Sequence, residues 1–186
     1  MHSTVWVDVG APAELVFRLA RDIERWPDLL PHYLRVRREA GRASDRQVLR
    51  MVAVRPSFGL AGFGPPVVWR ARTWAEPDDL RLRFQHLGGV TAGMDVTWRI
   101  EPTAAGCHVS IEHAFRRRLP IPVLGQRLGD ELLPAFVDRC FTRPIAERTL
   151  ATFKALAEAL AEAVADADES HPGRSQSGTS DAARGT

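Results

Sequence analysis

The sequence has little cysteine, almost no lysine and no long apolar run, and each shortage excludes a class of protein. Two cysteines, Cys107 and Cys140, are too few for a disulfide framework and lack metal-ligand spacing. We therefore expect two small buried thiols, no metal and a cytoplasmic location. No segment approaches the ~20 apolar residues that a membrane-spanning helix needs. The first residues also lack the basic and then apolar pattern of a secretory signal.

The charge balance is close to neutral, with a formal net charge of +2 over 186 residues. That composition disfavours a nucleic-acid-binding protein. A hydrophobic content of 45% suits one globular domain with a sizeable core. Residues 166–186 contain no large apolar side chain and are predicted to form a disordered polar tail, which leaves residues 1–165 as a single folded domain.

Alternation of apolar and polar residues predicts seven strands. The first is Thr4–Val9, and two helices follow, one opening at Pro12 and a shorter one over Asp22–Leu30 that is interrupted at Trp26-Pro27. Six further strands are predicted at Tyr33–Glu39, Arg46–Val54, Val67–Ala75, Leu80–Leu87, Met94–Glu101 and Cys107–Phe115. The last four have one polar and one apolar face, which is typical of an antiparallel sheet with one side in water.

Helical periodicity begins at about Leu128. The predicted apolar stripe of this long helix is Ile145, Thr149, Phe153, Leu156, Leu160 and Val164. Pro144 removes a backbone donor and predicts a kink or break. One helix cannot cover the apolar face of seven strands, so we expect the sheet to curve around it and to leave a cavity. The two short helices would close one end of that cavity.

Two segments carry a family resemblance. Val7–Phe17 runs from a strand into a Pro-(Ala/Glu)-x-x-Val-(Phe/Trp) helix, and Asp22–Pro31 matches the pattern D-x-E-x-(W/Y)-P-x-(F/L)-x-P. In these segments the chain resembles the helix-grip START and Bet v 1-like superfamily (SRPBCC), and within it the polyketide cyclase/dehydrase and coenzyme Q-binding branch. The resemblance covers residues 4–165. It implies an α+β fold, in which a curved seven-stranded antiparallel sheet surrounds a long C-terminal helix and two short helices lie between strands 1 and 2.

Two histidines are the candidates for chemistry. His86 and His113 lie on the apolar faces of their strands by parity. A histidine that faces a cavity can serve as the general acid or base that a polyketide cyclase, aromatase or dehydrase needs. The alternative is a buried imidazole satisfied by its surroundings. Residues expected to line the ligand site are Phe58, Trp69, Phe84, Met94, Trp98, Phe136 and Cys140, and the alternative for these is that they only fill the core.

Two Gly/Pro-rich links with apolar side chains, residues 55–66 and 116–125, are predicted at the rim of the cavity. They are either a lid or ordinary connectors that pack on the core. Arg116–Arg118 is the densest basic run and could attract an acyl carrier protein or anionic lipid. Arginines on the outer sheet face are expected to form cross-strand ion pairs instead: Arg70, Arg72, Arg81, Arg83 and Arg99.

Three functions stay open on the sequence alone. The leading one is binding of a hydrophobic small molecule, which is polyketide, aromatic or lipid-like, in an internal cavity, with or without cyclase/dehydrase chemistry and with no cofactor. The second is a non-catalytic lipid- or quinone-binding chaperone or transport protein. The third is a protein-interaction module that acts through its surface. The sequence leaves both a monomer and a homodimer open.

Overall fold

A computed structural model describes residues 2–41, 46–54, 64, 66–89, 91–115 and 137–169. The lid candidates at 55–66 and 116–125 therefore lie almost wholly outside the described residues, as do Phe58 and Phe136. The seven strands are β1 (His2–Val9), β2 (Tyr33–Ala40), β3 (Gln47–Val54), β4 (Pro66–Glu76), β5 (Arg81–Gly89), β6 (Met94–Thr103) and β7 (Gly106–Phe115). The helices are α1 (Ala13–Arg21), α2 (Trp26–Leu29) and α3 (Arg143–Glu169).

The strands form one antiparallel sheet in the order β1-β7-β6-β5-β4-β3-β2. Strands β2 to β7 are neighbours in sequence and in space, whereas β1 lies beside β7 at the far edge. The chain crosses between the two edges through α1, a 3-10 turn at Ile23–Arg25, and α2. This architecture confirms the predicted helix-grip fold.

The core lies between the inner sheet face and α3. Buried α3 side chains are Ile145, Ala146, Thr149, Leu150, Phe153 and Ala157. The predicted stripe was wrong beyond this point, because Leu160 and Val164 are 39% and 62% exposed. A helix of 27 residues is about 40 Å long, whereas the eight residues of β1, against which it packs, span about 27 Å.

The irregularity predicted at Pro144 takes the form of a π-helical turn, Asp138–Thr142, that leads directly into α3. Pro144 itself lies in the first turn of α3, where its missing donor does not interrupt the helix. At the other end α3 continues to Glu169, past the boundary expected at residue 165. Residues 170–186 of the predicted tail lie outside the described part of the chain.

The short helices contribute Trp26 to the centre of the core. Its indole Nε1 donates to the carbonyl of Ala20 at 3.0 Å. Its ring lies edge-on to Tyr33 and Phe153, and it also contacts Phe84. The side chain is almost wholly buried, with 2% of its surface exposed. This one side chain joins α1, α2, the sheet and α3.

The outer face carries the predicted ion pairs, except that Arg72 donates to Gln85 at 3.0 Å. Arg99 pairs with Glu112 across β6 and β7 at 3.0 Å, and Arg83 pairs with Glu76 at 3.3 Å. One residue expected in strand β5, Leu80, instead precedes it, because its φ of +48° closes the turn from β4. The strand begins one residue later without a change of face.

Candidate functional site

A cavity lies between the inner face of the sheet and the start of α3. Three residues predicted to line it, Trp69, Phe84 and Trp98, do so, and both candidate histidines line it as well. Met94 does not. It points inward as parity predicts, but it follows the turn at residues 91–93 and is wholly buried in the core there. Cys140 lies in the π-helical turn, and its side chain is outside the described structure.

The cavity is narrow. Its space for water-sized molecules is about 70 Å³, compared with ~300 Å³ or more for a typical drug-sized ligand site. Its walls are mostly apolar, and beyond the predicted residues they comprise Trp26, Met51, Val67, Val96, Ile111, Ile145 and Ala146. A ligand with several rings would therefore require rotation of lining side chains.

His86 is held on the inner face of β5 by a turn that follows its strand. In that turn Gly89 has φ +85° and Gly93 donates its backbone N–H to the His86 carbonyl at 2.9 Å. The turn returns Thr91 to the histidine, with Thr91 Oγ1 2.6 Å from His86 Nδ1. The imidazole stacks on Trp69 at 6.0 Å between ring centroids. Burial, and secondarily the neighbouring His113, lowers the pKa of His86 to about 3.

His113 lies on β7, paired with Val96 on one side and Ser3 on the other. Its side chain is buried, and Nδ1 has no hydrogen-bond partner among the described residues. Burial lowers the pKa of His113 to about 4; the Asp138 carboxylate opposes this shift. Asp138 is in turn held by Ser3, whose hydroxyl donates to it at 2.6 Å. Both cavity histidines are thus neutral at pH 7.

A second polar group at the cavity, formed by His32, Tyr33 and Thr149, was not predicted. Thr149 Oγ1 donates to the Ile145 carbonyl at 2.7 Å and therefore accepts from His32 Nε2 at 2.8 Å. Burial lowers the pKa of His32 to about 4. Burial also raises the pKa of Tyr33, with an opposing hydrogen bond to Thr149.

Tyr33 and Thr149 line the cavity, whereas His32 lies behind them. The sequence feature that could have predicted this polar group is Thr149, a threonine in an otherwise apolar helical stripe. Thr91 and Thr142 also line the cavity and were missed, because they lie in a turn and in the π-helical turn, where strand parity gives no information.

Other chemistries find little support in the described residues. Among them, no group of three or more histidine, cysteine or acidic side chains is arranged to hold a metal ion. Burial raises the pKa of the Cys107 thiol to about 11, so this side chain is not a thiolate nucleophile at neutral pH. No helix in the described part of the chain is both long and apolar enough to cross a membrane.

Comparison with known proteins decides the family. The model of the family described as polyketide cyclase/dehydrase and lipid transport matches residues 1–165. The chain belongs to this family. This membership agrees with the SRPBCC resemblance of the segments Val7–Phe17 and Asp22–Pro31 and with the observed fold.

One curated relative of this polyketide cyclase/dehydrase family member comes from a streptomycete. A granaticin polyketide synthase bifunctional cyclase/dehydratase from Streptomyces virginiae is 28% identical over 99 residues, which cover 52% of this chain and 30% of that protein. The chain thus matches less than a third of the length of that curated relative.

Solved structures show the same fold. The ZhuI aromatase/cyclase from Streptomyces sp. R1128 has a TM-score of 0.64 at 23% identity, over 85% of this chain and 93% of that one. The di-domain aromatase/cyclase StfQ of the steffimycin pathway has a TM-score of 0.67 at 22% identity, over 87% of this chain and 52% of that one. A START superfamily protein from Mycobacterium smegmatis gives 0.59 at 16% identity, over 86% and 98%.

Proposed function

We propose that this protein binds a polyketide-like molecule in its cavity and promotes cyclisation or dehydration with His86 and His113. The observation that carries the proposal is an apolar, aromatic-walled cavity into which two neutral imidazoles project from β5 and β7. The description of the family and the name of the cyclase/dehydratase relative support the same substrate class.

The walls favour a flat, apolar ligand with carbonyl groups. Aromatic side chains of Trp69, Phe84 and Trp98 offer faces on which a ring or an extended enol can stack. Polar groups are few, so each fixes the ligand's orientation. A poly-β-ketone matches this combination, because it is apolar along its length and presents carbonyl oxygens at regular intervals.

A neutral imidazole can begin cyclisation by removing a proton from a CH₂ group flanked by two carbonyls. The C–H electron pair becomes the C=C bond of an enolate, which attacks a second carbonyl carbon and forms the new C–C bond. The resulting imidazolium returns its proton to the alkoxide formed there. In a later dehydration, a neutral histidine removes a neighbouring proton and then, as the imidazolium, gives that proton to the departing hydroxyl, which leaves as water. Thr91 holds the ring of His86 through Nδ1 and leaves Nε2 for this exchange.

The test is turnover of a thioester-activated poly-β-ketone mimic, followed by chromatography and mass spectrometry. His86→Gln and His113→Gln should each lower the rate by about 10²–10⁴-fold, the usual contribution of general acid–base catalysis, and should leave binding within threefold. His108→Gln, on the outer face, is the matched control. Unchanged turnover in both cavity variants would remove the catalytic part of the proposal.

A non-catalytic carrier of a lipid or quinone is the second candidate. It is favoured by the low histidine pKa values of about 3 and 4, because a general base works best with a pKa near the operating pH. Native mass spectrometry of gently purified protein separates the two candidates. A co-purifying lipid, with no turnover of the polyketide mimic, would favour the carrier.

An acyl carrier protein as donor of the ligand, a cytoplasmic location and the choice between monomer and homodimer remain predictions from the sequence. The basic run at residues 116–118, on which the carrier-protein prediction partly depends, lies outside the described residues.

A further inference from the structure

The two halves of the outer sheet face differ in whether their arginines have acidic partners. On β5–β7, Arg81 and Arg99 lie directly opposite each other in register, and each has its own carboxylate partner. Arg81 pairs with Asp79 at 3.2 Å, and Arg99 pairs with Glu112 at 3.0 Å. This half neutralises its arginines within the chain.

The half on β2–β4 does so for only one of its three opposed arginines. Arg37 is directly opposite Arg50, and Arg50 is directly opposite Arg70, so three arginines form a row across three strands. All three are exposed on the outer face, since their neighbours Leu49 and Met51 are buried on the inner one. Glu39 pairs with Arg70 at 2.6 Å. Among the described residues, no acidic side chain pairs with Arg37 or Arg50. We refer to Arg37, Arg50 and Arg70 as the arginine row.

An apolar row lies beside it, two residues further along the strands. Val52 is directly opposite Val68, which is 40% exposed. On β2, the bulge next to Val52 adds Leu34, which is 55% exposed, beside Arg35, the register partner of Val52. The two rows together make a surface that is basic along one line and, except for Arg35 at its β2 end, apolar along the next.

The arginine row costs the free protein stability, because like charges directly opposite in a sheet repel. Charge on an edge strand protects against unwanted strand pairing, which explains Arg37 on β2. It does not explain Arg50, which lies on an inner strand and has no acidic partner among the described residues. A reason to keep Arg50 between Arg37 and Arg70 is an anion supplied from outside, which would neutralise the two arginines that have no acidic partner among the described residues.

We propose that this face of β2–β4 docks an acidic amphipathic helix of a partner protein. Strands lie about 4.8 Å apart, so the arginine row is about 10 Å long. Carboxylates at positions i, i+4 and i+7 of a helix lie about 6 and 10.5 Å apart along its axis, which matches the row. The apolar row is about 7 Å away, where the apolar side of that helix would lie.

Other polyanions match this surface less well. A nucleic-acid backbone has no apolar side to set against Val52 and Val68. A bilayer requires side chains that reach about 5–10 Å into the headgroup region, whereas these valines are shorter than the arginines beside them. The surface is also separate from the cavity, so the inference stands or falls independently of the proposed chemistry.

The experiment uses a fluorescein-labelled helical peptide of 18 residues with glutamate at i, i+4 and i+7 and leucine on the adjacent side, and a matched peptide with glutamine for glutamate. Anisotropy titrations in 50 mM NaCl should show binding of the glutamate peptide only. Arg37→Gln/Arg50→Gln should weaken binding at least tenfold. Arg81→Gln/Arg99→Gln removes the same charge from the paired half and should weaken it less than twofold.

Equal weakening by the two double variants would overturn the proposal, because net charge alone would then explain binding. So would failure of the wild-type chain to prefer the glutamate peptide. Vesicles of phosphatidylcholine and phosphatidylglycerol (4:1) test the membrane alternative. Binding to vesicles that depends on the arginine row, without binding to the peptide, would assign the surface to lipid instead.

A stability measurement tests the premise without a partner. Arg50→Gln should raise the melting temperature of the whole protein by about 1–3 °C at low salt, because it relieves repulsion in the row. Arg99→Gln should not raise it, since that arginine loses a carboxylate partner. A lower melting temperature for Arg50→Gln would show that the row is already neutralised within the chain and would overturn the inference.

Discussion

The inner and outer faces of the sheet come from the same seven strands but treat ionisable side chains in opposite ways. Successive residues point to opposite faces, so His113 lies inside while its neighbour Glu112 lies outside. Inside, burial removes the charge of His86 and His113 at neutral pH. Outside, hydrogen bonding to Glu112 raises the pKa of Arg99 and the charge is kept.

This difference indicates which face of the sheet makes the stability of the protein depend on pH. A half-exposed ion pair is screened by water and contributes little to stability. A buried imidazole excluded from water must stay neutral, so its protonation competes directly with folding. We therefore expect acid sensitivity to originate on the inner face, even though most of the charge lies on the outer one.

The largest expected effect is a loss of stability in mild acid. His32, His86 and His113 have folded pKa values of about 4, 3 and 4, below the value of 6.5 for an unperturbed histidine. Between these values the unfolded chain binds protons that the folded chain does not. These three histidines therefore lower the free energy of unfolding as the pH falls from 6.5, and they leave it nearly constant above about pH 7. Each proton bound only by the unfolded chain costs the fold about 1.4 kcal/mol per pH unit, so three such histidines give an expected loss of roughly 4–6 kcal/mol between pH 7.5 and pH 5.

Urea denaturation at several pH values measures this loss. His86→Gln/His113→Gln should remove more than half of the pH dependence between pH 5 and pH 7, because two of the three depressed groups are gone. Equal stability of the wild-type protein at pH 5 and pH 7.5 would show that the cavity histidines are hydrated and charged in the folded state.

The next largest expected effect is seen by comparing Trp26, in the core, with Trp6, at the surface. Trp26→Ala should lower the free energy of unfolding by about 3–5 kcal/mol, because it leaves a cavity among Tyr33, Phe84 and Phe153 and removes a buried hydrogen bond. Trp6 is 62% exposed and rests on His108 at the surface. The control Trp6→Ala should cost less than about 1 kcal/mol. Similar costs for both would mean that Trp26 is not the centre of the core.

Much of the fold was predictable because strand periodicity reports which face a residue occupies. It placed His86, His113, Trp69, Phe84 and Trp98 on the inner face, and all five line the cavity. Periodicity reports direction but not depth, which is why Met94 points inward without reaching the cavity. The same limit explains Leu160 and Val164, which continue the helical pattern past the end of the core.

Contacts between distant segments could not be predicted from the pattern. His32 and Thr149 are 117 positions apart, and only the packing of α3 against the start of β2 brings them together. The pairing register of the strands was also not predictable from the sequence pattern. Of the outer-face arginines that were expected to pair with acidic residues, Arg72 instead donates to Gln85, and the others do pair: Arg70, Arg81, Arg83 and Arg99. The position of Arg50 between Arg37 and Arg70 follows from the register and was not predicted.

The smallest expected effect concerns the Thr149 hydroxyl, which links α3 to the residues at the start of β2. Thr149→Val keeps the shape of the side chain but leaves His32 Nε2 and the Tyr33 hydroxyl without their partner inside the core. Each unsatisfied buried group costs about 1–3 kcal/mol, so we expect a loss of about 2–3 kcal/mol in urea denaturation. Thr152 makes the same hydrogen bond to the carbonyl four residues earlier but is only half-buried and has no such neighbours. Thr152→Val should therefore cost less than about 1 kcal/mol. Equal losses for the two valine variants would mean that the bond to the helix backbone, and not the link to His32 and Tyr33, is what Thr149 contributes.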